Sequence, residues 1–256
     1  MASSAKNIEV KPITSAAARA LVARLHYSGK STQNSQLHFG VFLHGKCLGA
    51  MQFGPPMDRR KLLPLVKGTG WNGMMELNRM AFSDALPRNS ESRALAVAFR
   101  LMRKAYSHLE WIVSFADGTQ CGDGTIYRAA GFILTGINKN KTLLRMPDGR
   151  IVADKTLNDH PGLNGRTGTS IAREAGARPL IGYQMRYLYF LNPAARDRLT
   201  VPVLPFSTIA AAGAGMYRGQ KRVGSADSGT GGDQPSGDGA SPISTLQFTG
   251  HAPEGI

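Results

Sequence analysis

The sequence predicts a mixed α/β fold (an α+β mixed sheet) in which helices cover the faces of a central sheet. Three observations support this prediction. Runs with the apolar patterns of strands are interspersed with runs whose apolar residues recur every three or four positions, as in helices. The 256 residues are 42% hydrophobic, which is enough to bury a core. Only two cysteines occur, so a disulfide scaffold is excluded and a reducing compartment is expected.

Several segments have the patterns of strands. Most of them alternate apolar and polar side chains between turn residues. Two are separated by a turn at His44–Lys46 and predict a β-hairpin. The run Trp111–Ala116 is mostly apolar, as expected of a buried central strand. The predicted strands are, in order, residues 8–13, 37–43, 47–53, 74–82, 111–116, 132–134, 141–146 and 183–191.

Other segments have helical spacing. Thr14 or Ser15 can cap the first helix. The clearest helix follows Pro87–Ser90, because its apolar residues fall on one face down to Leu109. A short helix after the glycine-rich loop 117–124 ends at Gly131. The predicted helices span about residues 15–25, 90–109, 125–130 and 170–175.

The remaining segments set the domain organisation. We expect one domain at 1–223, with an insertion at about 150–182 and a Pro- and Ala-rich extension at 199–216 that wraps the body. Residues 57–73 are expected to be irregular and basic. The tail at 224–256 is rich in Gly, Ser and Asp, and its stretch 224–241 has no aromatic or large aliphatic residue, so the tail is predicted to be disordered.

The charge distribution points to a polyanionic partner. The chain has a net charge of +14, from 31 Lys and Arg against 17 Asp and Glu. The tail contains four of the acids and none of the bases, so residues 1–223 carry +18. Nucleic acid is the commonest partner of such a body, although a solvated basic surface, an anionic cofactor or an acidic protein also fits. Candidate DNA contacts are Arg59, Arg60, Lys61, Lys139 and Lys141.

No membrane association is expected. No apolar run is long enough to span a bilayer, and the first residues lack the apolar stretch of a signal peptide.

The segment from residue 74 to residue 109 predicts a site for a phosphate-containing cofactor. A helix N-terminus offers backbone N–H groups and a positive dipole end, which suit a pyrophosphate. Acyl-CoA-dependent N-acyltransferases carry a Gln/Arg-x-x-Gly-x-Gly/Ala loop at this place. Asn89–Ala94 keeps the spacing and the final small residue but has Asn first and Ser in place of the central Gly. A plain helix cap at Asn89 or Ser90 explains the stretch about as well.

Seven blocks of the chain, in order, resemble the Mom DNA-modification family of Mu-like phages. The resemblance covers roughly residues 8–220, and the family is similar to the Gcn5-related N-acetyltransferase fold, which agrees with the element order above. The blocks are His26–Gly29, Phe53–Pro56, Glu76–Met80, Pro87–Arg93, Ser114–Gly118, Gly122–Tyr127 and Gly213–Gly219.

The resemblance implies a concrete activity. Proteins of this family add a carbamoylmethyl (acetamido) group to adenine N6 in double-stranded DNA, which protects phage DNA from restriction in the cytoplasm of the infected bacterial host. The family has been linked to acetyl-CoA or a related donor and to iron(II). The rival hypotheses are an ordinary acyl-CoA-dependent N-acetyltransferase acting on a protein or small amine, and a non-enzymatic DNA-binding protein.

The resemblance also implies roles for individual residues. His26 and Tyr27 become active-site candidates, rather than a helix-end histidine and the tyrosine that packs on it. Asp117 becomes a base, an orienter of His26 or, with His26 and Tyr27, an iron ligand, instead of an ordinary turn carboxylate. Tyr127 is either the acid that protonates the departing CoA thiolate or a core tyrosine. Apart from the resemblance, Glu76 on the same strand is the ordinary alternative partner for the charge of Arg79.

The expected donor site gathers charged and small residues around the second helix. Arg79 lies in an otherwise apolar strand, where a charge needs a partner. An anionic cofactor or a phosphate backbone would supply that partner. The candidate cofactor-binding residues are Arg79, Arg88, Asn89, Ser92, Arg93 and Ala94.

Overall fold

The computed structural model describes residues 4–159, 165–217 and 220–221. The tail at 224–256 lies outside these residues, so its disorder stays a prediction. The strands of the described residues are β1 (Glu9–Pro12), β2 (Leu37–Leu43), β3 (Lys46–Gly54), β4 (Met74–Phe82), β5 (Trp111–Asp117), β6 (Ile133–Asn140), β7 (Leu143–Arg145), β8 (Ile151–Ala153), β9 (Arg178–Pro179), β10 (Gly182–Phe190), β11 (Met216–Tyr217) and β12 (Gln220–Lys221).

The main sheet is mixed, as predicted. Within the described residues it has seven strands in the order β1-β2-β3-β4-β5-β10-β6. All neighbours are antiparallel except β4 and β5, which are parallel. The α-helices are α1 (Ser15–Leu25), α2 (Arg59–Leu62), α3 (Ser90–Ala105), α4 (Thr125–Ala129), α5 (Asp154–Asn158), α6 (Gly168–Glu174) and α7 (Ser207–Ala211).

Helices α1 and α3 cover opposite faces of the sheet. Neighbouring residues of a strand point to opposite faces. On β3, Ala50 packs with α1, whereas Met51 and Phe53 pack with α3. The Thr14 hydroxyl caps α1 by accepting a hydrogen bond from the Ala17 backbone, as expected of one of the two predicted caps.

The pairing of β4 with β5 is short, and this creates an opening in the sheet. Only three positions are paired, the last being Glu76 with Val113. The carboxyl-terminal parts of the two strands therefore separate. On its other side β4 pairs with β3 through a β-bulge, where Asn78 and Arg79 face the single residue Gln52. Sheets commonly bind ligands at such a crevice beyond the carboxyl ends of strands.

Two other segments differ from or extend the sequence prediction. The segment predicted to be irregular contains α2 and a 3-10 turn at Leu63–Leu65, both too short to show periodicity in the sequence. The small second sheet, β8-β7-β9, begins at Leu143, before the expected start of the insertion at about 150. It has its own apolar cluster around Leu144, because β7 turns away from the main sheet.

The extension at 199–216 packs on the body. Leu199 pairs with Val66 and Leu204 with Leu134 through isolated bridges. Ile209 of α7 is 3% exposed and belongs to the main core.

Gly124, which precedes α4, provides a test of how the site loop is held. Its φ is +88°, and a Cβ there would lie 2.4 Å from the Tyr187 ring. We expect Gly124→Ala to lower the free energy of unfolding by about 2–4 kcal/mol, the sum of overpacking and a left-handed backbone, measured by urea denaturation. Gly149→Ala is the matched control, because Gly149 has a φ of +85° with no atom within 4 Å of the added Cβ. Equal losses in both variants would contradict the prediction.

Candidate active site

Polar side chains gather at the opening between β4 and β5. Asp117 ends β5, and the loop after α1 brings Tyr27 to it. The Tyr27 hydroxyl donates to Asp117 Oδ2 over 2.9 Å. The backbone N–H groups of Thr119 and Gln120 donate to Oδ1 over 2.9 and 3.2 Å. Asp117 is therefore both a turn carboxylate and the partner of a tyrosine 90 residues away.

Tyr27 keeps its proton at neutral pH. The Tyr27 hydroxyl is partly removed from water and faces the Asp117 carboxylate. Both effects hold the pKa of the Tyr27 phenol well above its usual value. The residue nevertheless leaves 54% of its surface exposed. Tyr27 thus offers a hydrogen-bond donor to Asp117 and an aromatic face to solvent.

His26 lies directly behind Tyr27, with 4.4 Å between the ring centroids. Its Nδ1 accepts a hydrogen bond from the Ser28 backbone and lies 2.8 Å from the Ser28 hydroxyl. Burial and the positive charge of Arg79 lower the pKa of His26 to about 4, although Asp117 opposes the shift. A histidine with this pKa is neutral at pH 7 and is a weak base. The geometry therefore favours a positioning role for His26 over general-base catalysis.

The three side chains implied as iron ligands take part in hydrogen bonds. Tyr27 is protonated and donates to Asp117, while His26 Nδ1 is engaged with Ser28. In the part of the chain that the structure describes, no three His, Cys, Asp or Glu side chains are placed to hold one metal ion. The assignment of iron(II) to His26, Tyr27 and Asp117 stays a prediction.

Glu76 is the functional candidate that the sequence analysis missed. Burial raises the pKa of its carboxyl to about 7, against the opposing effects of Arg79 and Asn78. A carboxyl with a pKa near the working pH is suited to taking and releasing a proton. The feature that identifies Glu76 is visible only in the structure: Glu76 is the last residue of β4 that pairs with β5.

Arg79 belongs to this cluster. Its guanidinium donates to the backbone oxygens of Lys30 and Asn78 over 3.1 and 2.6 Å. It also acts electrostatically on His26, Tyr27 and Glu76. Its hydrogen-bond partners are uncharged carbonyls, and in the described residues it makes no ion pair. Its positive charge can therefore stabilise a negative charge that develops in the opening.

Tyr127 approaches from the other face of the sheet. Its ring packs against Phe132 and Tyr187, with centroids 5.2 and 5.3 Å away. Its hydroxyl lies next to Ser114, although the buried Ser114 Oγ makes no hydrogen bond of standard geometry. Burial raises the pKa of Tyr127, so the phenol stays protonated at neutral pH. Tyr127 therefore has the packing of a core tyrosine, and its role as an acid stays a prediction.

The residues of the site are distributed over the two faces of the sheet. The alternation of side chains places Glu76, Arg79 and Asp117 on the face that α1 covers. It places Ser114 on the α3 face, where Tyr127 also packs. Groups from both faces meet where β4 and β5 separate.

The N-terminus of α3 fits an anionic group. Asn89 has a φ of 69° and its side chain makes no capping hydrogen bond, so it leaves first-turn N–H groups to another acceptor. Ser92 donates to the Asn89 carbonyl over 3.2 Å. Ala94 is fully buried, which allows close packing behind the turn. Glu91 in the first turn is the one unfavourable charge. Arg88 and Arg93 are exposed on either side.

The basic candidates for DNA contact lie in two places, three on α2 and two at the end of β6. Arg59 stacks on Trp71 at 5.2 Å and donates to the Trp71 carbonyl, so it is held by its own segment. Lys61 pairs with Asp58 over 2.9 Å. The other three candidates are exposed; they are Arg60, Lys139 and Lys141.

No helix in the described ranges is long and apolar enough to cross a membrane.

Solved structures similar to the chain are acetyltransferases. An IAA acetyltransferase from Bacillus cereus is 12% identical, with a TM-score of 0.40, and the alignment covers 72% of this chain and 99% of that chain. The ribosomal-protein-S18-alanine N-acetyltransferase from Escherichia coli is also 12% identical, with a TM-score of 0.39, covering 72% of this chain and 94% of that chain. At these scores we draw no functional conclusion from the similarity.

The sequence comparisons are more specific. The chain is 35% identical over 196 residues to a protein of Escherichia phage Mu named methylcarbamoylase mom. The alignment covers 76% of this chain and 80% of that protein. Residues 7–208 match the model of the Mom protein family. The chain therefore belongs to the Mom protein family.

Proposed function

We propose that the chain is a phage DNA-modification transferase that converts adenine to N6-carbamoylmethyl adenine in duplex DNA. The observation that carries the proposal is the 35% identity to a methylcarbamoylase over 80% of that protein's length. The cluster at the opening supports an enzyme, because a half-buried carboxyl with a pKa near 7 suits proton transfer better than simple binding.

DNA binds to the basic body in this proposal. Residues 1–223 carry +18, and counterion release favours sequence-tolerant binding to phosphates. The target adenine leaves the stack, at a cost of a few kcal/mol, because N6 is engaged in base pairing inside the duplex. The exposed ring of Tyr27, supported by His26 and fixed by Asp117, offers a stacking surface for the extruded base.

In this proposal, side chains on both faces of the sheet transfer protons. The lone pair of N6 is delocalised into the adenine ring, so N6 must lose a proton as it forms its new bond. Glu76 accepts that proton from the α1 face. Arg79 stabilises negative charge beside it, and Tyr127 donates a proton to the leaving group from the α3 face.

The donor is an acyl-CoA-like molecule in this proposal, with its pyrophosphate at the N-terminus of α3. The product joins N6 to a methylene carbon, whereas transfer from acetyl-CoA would give an amide at N6. The donor must therefore carry a carbamoylmethyl group whose methylene carbon bears the leaving group: N6 displaces that group, the carbon–leaving group bond breaks, and the departing group takes the proton from Tyr127.

The donor site gives a direct binding prediction. We expect the double variant Arg88→Ala/Arg93→Ala to bind CoA about threefold to tenfold more weakly than the wild type in calorimetry, because two exposed charges beside the phosphates are lost. Arg100→Ala, on the exposed side of the same helix, is the control and should bind as the wild type does. Unchanged binding in the double variant would place the donor elsewhere.

Restriction protection tests the proposed function. Plasmid DNA from cells that express the chain should resist enzymes whose sites contain adenine, and DNA from cells expressing Asp117→Ala should be cut. An ordinary acetyltransferase would instead turn over acetyl-CoA without DNA and leave the plasmid fully cut. A non-enzymatic DNA-binding protein would keep its salt-dependent binding in Asp117→Ala and Tyr127→Ala and leave the bases unmodified.

A further inference from the structure

Gln52 is a buried amide without a partner. It lies near the end of β3 and is fully buried. Neither its Oε1 nor its Nε2 has a hydrogen-bond partner among the described residues. A buried amide with both groups unsatisfied is destabilising, and such groups in native proteins call for a functional or structural explanation.

The register of the sheet places Gln52 beside the proposed active site. Gln52 pairs with Arg79 on β4 and with His38 on β2, and directly paired residues share a face. This is the α1 face, which also holds Glu76 and Asp117. A second unsatisfied polar atom, His38 Nδ1, lies in the same row. The row is thus continuous with the cluster at the opening.

A loop covers this row. Residues 28–36 follow α1 without a helix or strand. The loop is tied down at two points, where Arg79 donates to the Lys30 carbonyl and where the Ser35 hydroxyl donates to Asn78 Oδ1. Thr32, between these two points in the chain, has a buried hydroxyl that lacks a partner. The loop therefore places a further buried polar atom without a partner close to this row.

The neighbouring buried amide, Asn78, does have hydrogen-bond partners. Asn78 lies at the bulge opposite Gln52 and is also buried, at 8% exposed. Its Nδ2 donates to the Pro55 carbonyl and its Oδ1 accepts from Ser35. Asn78 therefore holds the loop, while Gln52 is left with one donor and one acceptor side by side.

We propose that Gln52 binds the edge of the target adenine and thereby selects this base. A primary amide matches adenine in two hydrogen bonds, because Nε2 donates to a ring nitrogen while Oε1 accepts one N6 hydrogen. The second N6 hydrogen is left for the proton acceptor. At position 6 guanine carries an oxygen acceptor in place of the amino group, and cytosine presents the same acceptor–amino pair only on a smaller pyrimidine ring. The inference rests on the proposed function, since it assigns the substrate base to that same site.

The test compares Gln52→Met with Gln36→Met in full-length protein. Methionine keeps the length of glutamine but removes the amide, and Gln36 is an exposed control for the same change. We expect Gln52→Met to lower the fraction of modified deoxyadenosine in plasmid DNA by about tenfold to a hundredfold. Its Tm should equal or exceed that of the wild type, because an unsatisfied buried amide is removed. Gln36→Met should match the wild type in both measurements.

A second variant guards against failure to fold. Gln52→Glu keeps the volume, and its carboxylate faces Arg79, but it lacks the amide donor. It should be folded and as poorly active as Gln52→Met. Wild-type modification by either variant, or loss of folding in both, would overturn the proposal and assign Gln52 a structural role. Unmodified deoxyadenosine with the wild-type chain would instead contradict the proposed function, and this inference with it.

Discussion

Asp117→Asn is expected to lower adenine modification by about a hundredfold or more while the protein stays folded. Asparagine can still accept the backbone hydrogen bonds of Thr119 and Gln120 through Oδ1, so the turn after β5 is kept. Its amide nitrogen cannot accept the hydroxyl hydrogen of Tyr27, so the tyrosine is released from its position. The measurement is the rate at which modified deoxyadenosine accumulates, together with the Tm.

The matched control for this change is Asp148→Asn. Asp148 lies in the turn between β7 and β8, where it binds Arg150 over 2.7 Å. It should leave modification unchanged. Wild-type activity in Asp117→Asn would show that the Tyr27–Asp117 pair has no part in the reaction.

Glu76→Gln is expected to have the second large effect, a loss of about 10²–10⁴-fold in modification rate. Burial raises the pKa of the Glu76 carboxyl to about 7, so the ionised base is gained as the pH rises through that value. The wild-type rate should increase between about pH 6 and pH 8, the range centred on this pKa. The Glu76→Gln variant should be slow and should lack this increase.

The same carboxyl predicts how stability depends on pH. The folded-state pKa of about 7 lies above the ordinary value of 4.5, so the folded protein holds a proton that the unfolded chain has already lost. Stability therefore falls as the pH rises through this window, by roughly 1.4 kcal/mol for each pKa unit at most. The lowered pKa of His26 acts in the opposite direction, so the fall is measured as a difference between variants. In urea denaturation the wild type and the exposed control Glu9→Gln should lose stability relative to Glu76→Gln as the pH rises from about 4.5 to 7. A wild-type rate that does not change around pH 7, together with a constant stability difference between the wild type and Glu76→Gln, would contradict the role of Glu76.

Local sequence patterns predicted the secondary structure well where the elements are regular. The strand predicted at 74–82 matches β4, and the run at Trp111 matches β5. The long helix ends at Ala105 rather than near Leu109, because Tyr106 leaves the helical conformation while its side chain still packs on the core. Apolar spacing reports burial, and burial continues past the end of the helix.

The site was only partly predictable. The family resemblance identified Tyr27 and Asp117 as candidates. It did not predict their hydrogen bond, because the two residues are 90 positions apart and meet only in the fold. Glu76 was passed over because the sequence does not show that burial raises its pKa. Gln52 sits inside an apolar return strand, and its missing partners become visible only from the strand register and the bulge opposite it.

The most direct test of the proposed function is nucleoside mass analysis of plasmid DNA from cells that express the wild-type chain or Asp117→Ala. The proposal predicts deoxyadenosine that is heavier by one carbamoylmethyl group with the wild type, and unaltered deoxyadenosine with the variant. Unaltered deoxyadenosine in the presence of folded wild-type protein would contradict it.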